Sequence, residues 1–208
     1  MTETEIGKKN SKNLKMKKAL KTVWDFLSDM IFSAVTVIGV VILIRFIIIS
    51  PFEVSGGSML DTLHDEDYII VDKLSYRFSE PERGDIVVLV PPINTDTYYI
   101  KRIVGLPGEK IEFSNGQVLI HNAEFPAGFK LKEEYLSEKN KDSYLPNHES
   151  RSIQIPKNHY FVMGDNRGGS NDSRQWGTLH ERNIEGRAWL LVLPFSRTSV
   201  ISGVEYGM

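Results

Sequence analysis

A mainly β fold behind a single N-terminal transmembrane helix is what this sequence predicts, on three observations. One long apolar run lies beside a cluster of lysines, the remainder breaks into short β-branched bursts separated by turn residues, and an Asn-Gly pair joins two strand-like segments. The apolar run covers residues 30–44 and resumes after Arg45 as residues 46–49. About twenty residues of this kind cross a hydrocarbon core about 30 Å thick, at about 1.5 Å of rise per helical residue. Trp24 suits the headgroup level at the basic end, and the long stem of Arg45 can carry its charge outward at the other. A cleaved export signal would show a shorter apolar run and a small-x-small exit, which Ser50-Pro51-Phe52-Glu53 does not offer. A buried core helix would need no lysine cluster on one flank. Seven lysines precede Thr22 (Lys8, Lys9, Lys12, Lys15, Lys17, Lys18 and Lys21) against two acids, Glu3 and Glu5. Basic flanks stay in the cytoplasm, so the chain beyond Ile49 is expected outside. Residues 1–22 therefore read as a basic cytoplasmic tail, 23–49 as the anchor and 50–208 as an extracytoplasmic domain.

In that domain residues 68–71 (Tyr-Ile-Ile-Val), 85–90 (Asp-Ile-Val-Val-Leu-Val) and 188–193 (Ala-Trp-Leu-Leu-Val-Leu) read as strands, rich in β-branched and aromatic residues. Asn115-Gly116 separates Lys110-Ile111-Glu112-Phe113 from Gln117-Val118-Leu119-Ile120, a tight-hairpin signal because both central residues of a type I′ turn take positive φ. Sustained helical periodicity is missing after the anchor. The expectation is an antiparallel β domain whose strands coil around a shared core. Residues 126–150 are polar and irregular and read as an insertion or surface flap.

Composition narrows the chemistry. With 41% hydrophobic and 25% charged residues the chain can bury a core, and a formal net charge of −2 argues against nucleic acid as the main partner. The absence of cysteine removes disulfides, thiolate zinc sites and a cysteine nucleophile.

Three segments concentrate reactive side chains. In Ser55-Gly56-Gly57-Ser58-Met59-Leu60-Asp61-Thr62-Leu63 two glycines precede a serine, which lets the backbone present the hydroxyl and bring N–H groups near a substrate carbonyl. Taken alone, Gly-Gly-Ser is more often a plain turn. In Tyr98-Tyr99-Ile100-Lys101-Arg102-Ile103-Val104-Gly105 an alternating strand puts Lys101 and Ile103 on one face, Ile100 and Arg102 on the other. Burial among such neighbours would lower the lysine pKa, which a lysine base requires; a strand-edge lysine that deters aggregation is the bland alternative. Met163-Gly164-Asp165-Asn166-Arg167-Gly168-Gly169-Ser170-Asn171-Asp172-Ser173-Arg174 is dense in short polar side chains. It is either a solvated loop of Asx turns or a loop that holds a site in register.

These segments, in this order, resemble the motif boxes of bacterial type I signal peptidases, which are Ser/Lys-dyad serine proteases. Arg83-Gly84-Asp85-Ile86-Val87 and the single anchor belong to the same resemblance, and residues 124–156 lie outside it. The resemblance implies that Ser58 is the nucleophile, Lys101 the general base, and Ser170 a hydrogen-bond partner of the lysine. It implies that Asp172 and Arg174 brace their loop. Gly56 stands where other members carry an oxyanion-binding serine, which leaves most of that stabilisation to the Ser58 N–H. Phe52, Val54, Met59, Leu63 and Ile100 fall where the family lines shallow pockets for small side chains. The implied partners are the Ala-x-Ala-like ends of preprotein signal peptides, bound as an extended strand, together with the lipid bilayer and, as a candidate, the export machinery. The implied location is the cell membrane, and no metal or organic cofactor is called for.

One position departs from the family pattern, Asp61 in place of the usual proline three residues after the nucleophile. It is the one feature favouring a catalytically silent, membrane-tethered binding module on the same scaffold. A Ser-His-Asp triad is the competing enzyme reading, but His64, His121, His148, His159 and His180 sit in no triad context. The eukaryotic and archaeal branch of the family uses histidine where this chain has Lys101. A self-cleaving repressor of the related Ser/Lys type is disfavoured by the anchor and the missing helix-turn-helix segment.

Overall fold

The computed structural model describes residues 3–114, 117–141, 151–204 and 206. It divides into two units, Met1–Phe46 and Ile47–Met208. The first is one helix, α1 (Glu3–Leu43). Its segment Met16–Leu43 has a mean hydropathy of 2.3 over its most apolar stretch and buries none of it inside the protein. A helix of this length and composition can cross a membrane. The anchor was expected to run to residue 49, but the α-helix stops at Leu43 and a π-helical turn (Ile44–Ile48) follows. Ile49 already opens a strand. Pro51 disfavours helix in the residue before it, and a β-branched run suits strand pairing better than a helix end.

The second unit holds two antiparallel sheets. The larger begins at its edge with β1 (Ile49–Glu53), which pairs β2 (Tyr68–Asp72), and β2 pairs the long strand β11 (Ile184–Leu193). The order continues through β3 (Ile86–Leu89), β4 (Tyr99–Gly105), β9 (His159–Met163) and β10 (Leu179–His180), with β12 (Ser199–Val200) on β11. The smaller sheet runs β7 (Phe129–Lys130), β6 (Gln117–His121), β5 (Lys110–Ser114), β8 (Arg151–Gln154). The β5–β6 pairing closes to Ser114 opposite Gln117, the register the Asn-Gly hairpin called for; the two turn residues themselves lie outside the described residues. The expected strands at 68–71, 85–90 and 188–193 are all present, the last as the end of a ten-residue strand.

Strand β4 is the shared wall of the core. Ile100 packs with Val54, Met59, Leu63, Ile69 and Val88; Ile103 packs with Val87, Leu89 and Tyr160; Val104 packs with Ile111, Phe113 and Phe161. Every residue of β3 is buried, as a strand covered on both faces must be.

The segment 126–150 is not wholly a flap. Its residues 142–150 lie outside the described residues, but Leu131 and Leu136 are buried and the Leu131 N–H donates to the Val118 carbonyl at 2.9 Å. Two leucines five residues apart anchor what composition alone makes look solvated.

Candidate active site

The glycine-containing segment 55–63 lies between β1 and β2 in a loop tied down at several points. The Val54 N–H donates to the Asp67 carbonyl at 2.8 Å, and the Gly56 N–H donates to Asp65 Oδ1 at 2.7 Å. Gly56 has φ +84°, a region that side chains rarely adopt, while a Cβ there would meet open space. Backbone conformation and not crowding calls for glycine at this turn. Met59 and Leu63 turn inward, each 1% exposed, and fasten the loop to the core. Both are core residues beneath the loop, and neither lines the cleft at Ser58 described below.

The loop at 163–174 holds the Ser58 loop from behind. Asn166 donates from its backbone to the Ser58 carbonyl at 3.0 Å and from Nδ2 to the Gly57 carbonyl at 2.8 Å. Thr62 Oγ1 donates to Asp165 Oδ2 at 2.6 Å, and Asp165 receives both Arg102 Nε at 2.9 Å and Nη2 at 2.7 Å. Arg102 sits beside Lys101 on the opposite face of β4, so one buried ion pair ties the strand to both loops. Asp172 caps the short helix α2 (Ser173–Trp176) through the Arg174 N–H, and Arg174 Nε and Nη2 both reach its carboxylate at 2.8 Å. Burial pushes the Asp172 carboxyl up, but the Arg174 hydrogen bonds and charge and the Gly164 N–H hold it below the usual carboxylate value.

At the centre Lys101 Nζ donates to Ser58 Oγ at 2.7 Å and to the Ile100 carbonyl at 2.8 Å. Lys101 is 3% exposed. Burial lowers its pKa from 10.5 to about 8, against the opposing pull of the Asp172 and Asp165 charges. The expected hydrogen bond from Ser170 to Lys101 is not made. Ser170 Oγ is buried with no partner at hydrogen-bond geometry; it fills the space a side chain on Gly164 would need and lies near enough to the Asp172 carboxylate to help lower its pKa, while Lys101 Nζ is turned to Ser58 and Ile100. The Ser58 N–H also has no partner among the described residues.

Ser58 and Lys101 open onto a cleft of about 310 Å³. Phe52, Val54 and Ile100 line it, together with Ile69, Val88, Tyr99, Asn171 and Glu53, which the sequence did not single out. Glu53 and Tyr99 lay next to residues already singled out; Ile69 and Val88 reach the cleft only through sheet pairing.

The model for signal peptidase, peptidase S26, matches residues 27–193, which takes in the Ser58 loop, β4 and the 163–174 loop. The chain belongs to the signal peptidase family. A probable signal peptidase I-1 of Synechocystis is 36% identical over 181 residues, 84% of this chain and 86% of its own. A signal peptidase I of Bacillus amyloliquefaciens is 34% identical over 203 residues, covering 94% and 96% of the two chains. Signal peptidase I S of Bacillus subtilis is 37% identical over 161 residues, covering 74% and 83%. A solved signal peptidase I of Enterococcus faecalis is 29% identical, with a TM-score of 0.43, covering 52% of this chain and 97% of its own. Within this signal peptidase family member, Asp61 is turned to Lys139, 3.7 Å away, and makes no hydrogen bond to Ser58 or Lys101.

Proposed function

We propose that this chain is a membrane-anchored serine endopeptidase that removes signal peptides from exported preproteins, with Ser58 as nucleophile and Lys101 as general base. The 2.7 Å contact between a buried Lys101 amine and Ser58 Oγ carries the reading. A lysine with a pKa of about 8 is neutral in a useful fraction near neutral pH, where an ordinary lysine is not. In the neutral state the contact reverses and the Ser58 hydroxyl donates to Nζ. Attack of Oγ on the scissile carbonyl carbon passes the proton to Nζ, and the tetrahedral oxyanion lies within reach of the Ser58 N–H. Collapse breaks the C–N bond as Lys101 gives that proton to the leaving amine. Water then hydrolyses the ester, Lys101 taking its proton and returning it to Ser58.

Two open strand edges favour an extended substrate. β1 is the edge of its sheet, and β9 pairs β4 only from Arg102 onward, which leaves that side of Tyr99–Lys101 unpaired. A peptide strand between them gains backbone hydrogen bonds, and its alternate side chains enter the apolar floor of Phe52, Val54, Ile69 and Ile100. The shallow floor suits small residues flanking one outward-facing residue, the small-x-small pattern. The apolar α1 holds the enzyme in the membrane, with the lysine-rich end cytoplasmic.

Purified protein in detergent, given a preprotein, should cleave after a small-x-small site, and Ser58→Ala should abolish cleavage while remaining folded. Activity of Ser58→Ala within tenfold of the parent, about 1.4 kcal/mol on the barrier, would remove Ser58 as nucleophile.

A further inference from the structure

We propose that Glu53 sets the preference at the middle residue of the small-x-small sequence, favouring a basic side chain there and disfavouring an acidic one. The inference rests on the cleft being the signal-peptide site and deepens that reading. It begins with alternation along β1. Phe52 and Val54 face the core, whereas Glu53 is exposed and lies directly across from Tyr68 in the β1–β2 register. Glu53 Oε2 accepts the Tyr68 hydroxyl at 2.6 Å, so the carboxylate is held on the outer face of the strand. A peptide pairing with the free edge of β1 repeats that alternation. Its two small residues point to the floor under Phe52 and Val54, and the residue between them points outward beside Glu53.

Charge at this place is one-sided. Among the described residues lining the cleft Glu53 is the only acid and Lys101 the only cation, and Lys101 acts in its neutral form. No lysine, arginine or histidine pairs with Glu53 among the described residues. The Tyr68 hydroxyl donates a hydrogen bond without neutralising the carboxylate, and Glu66 adds a second negative charge near Tyr68. Opposite charges on adjacent strands attract and like charges repel by a fraction of a kcal/mol each, so the lysine-to-glutamate contrast should reach about tenfold.

The test uses the full chain in detergent and three preproteins identical except for lysine, glutamine or glutamate at the middle position. The expected order of kcat/KM is lysine, glutamine, glutamate, with about tenfold between the extremes. In Glu53→Gln the lysine-to-glutamate ratio should fall to within about twofold of unity, in Glu53→Lys it should invert, and in Glu53→Asp a preference for lysine should persist. Because each result is a ratio within one enzyme, a change in overall activity does not blur it. A flat series in the parent enzyme, or a ratio that survives Glu53→Gln, overturns the role of Glu53 while cleavage itself stands. Failure to cleave any of the three, or cleavage undiminished in Ser58→Ala, would instead strike the underlying reading of the cleft.

Discussion

Lys101 bears on both catalysis and stability, and both effects can be read by pH. For catalysis its proton must leave, so kcat/KM should rise on the acid side with an apparent pKa near 8, well below that of free lysine. Lys101→Arg should be inactive, since a guanidinium does not deprotonate in this range; an active arginine variant would send the search for the base elsewhere. For stability the sign runs the same way. The folded pKa of about 8 lies below the ordinary 10.5, so between those values the unfolded chain holds a proton that the folded chain lacks. Stability therefore rises with pH across that window and is lost as pH falls toward 8, by about 3 kcal/mol in all. Lys101→Met, which carries no such charge, should have the higher Tm below pH 8, and its advantage should shrink steadily toward pH 10.5. A constant difference would mean that the amine is not desolvated. Ser170→Ala removes a buried hydroxyl that has no partner at hydrogen-bond geometry, so its Tm should be unchanged or slightly raised. Cleavage by the same variant should fall without vanishing if that hydroxyl turns to the amine during the reaction.

At the scale of elements, the segment 131–141 that follows β7 decides how firmly the 163–174 loop is held. Arg167 is 2% exposed and makes a two-point contact with Glu133, and Tyr135 accepts a further hydrogen bond from its Nη2 at 2.9 Å. Tyr135 lies 4.2 Å under the Arg102 guanidinium and shares a 3.0 Å hydroxyl contact with Tyr206. Glu133→Ala removes the carboxylate that makes the two-point contact with the buried Arg167. The expected loss is about 3–5 kcal/mol, read as a large drop in Tm, because removing one member of a buried pair costs more than the pair contributes. A change of only a few tenths would show that the segment is peripheral to the loop. Asp61→Pro should keep or raise activity, since the Asp61 N–H makes no backbone bond in its turn among the described residues and its carboxylate faces Ser137, Lys139 and His64, not Ser58 or Lys101. A large loss in the cleavage assay would assign Asp61 a part that the geometry does not suggest.

For the whole molecule the prediction is one of sidedness. With the seven lysines retained in the cytoplasm, protease added to intact spheroplasts should digest the β domain and leave a short protected N-terminal fragment. Full protection of the domain would reverse the orientation and exclude cleavage of exported chains outside the membrane.

The sequence by itself determined what short-range pattern can encode. The apolar run, the lysine asymmetry, the β-branched bursts and the Asn-Gly turn each act over a few residues, and they specified the helix, three strands and a hairpin register. The residue types around Ser58, Lys101 and the 163–174 loop were legible in the same way, through their glycines and short polar side chains. Tertiary structure alone decided how these meet. Thr62 and Asp165 are 103 positions apart, Gly57 and Asn166 109, and Lys101 and Ser58 43, so no local periodicity records their contacts. It also decided that Met59 and Leu63 are core, that Glu133 and Tyr135 belong to a buried network, and that Ser170 Oγ has no partner at hydrogen-bond geometry. Burial and ion pairing depend on which strands become neighbours in the sheet. That neighbourhood follows from the packing of the whole domain, which also takes Lys101 out of water and lowers its pKa.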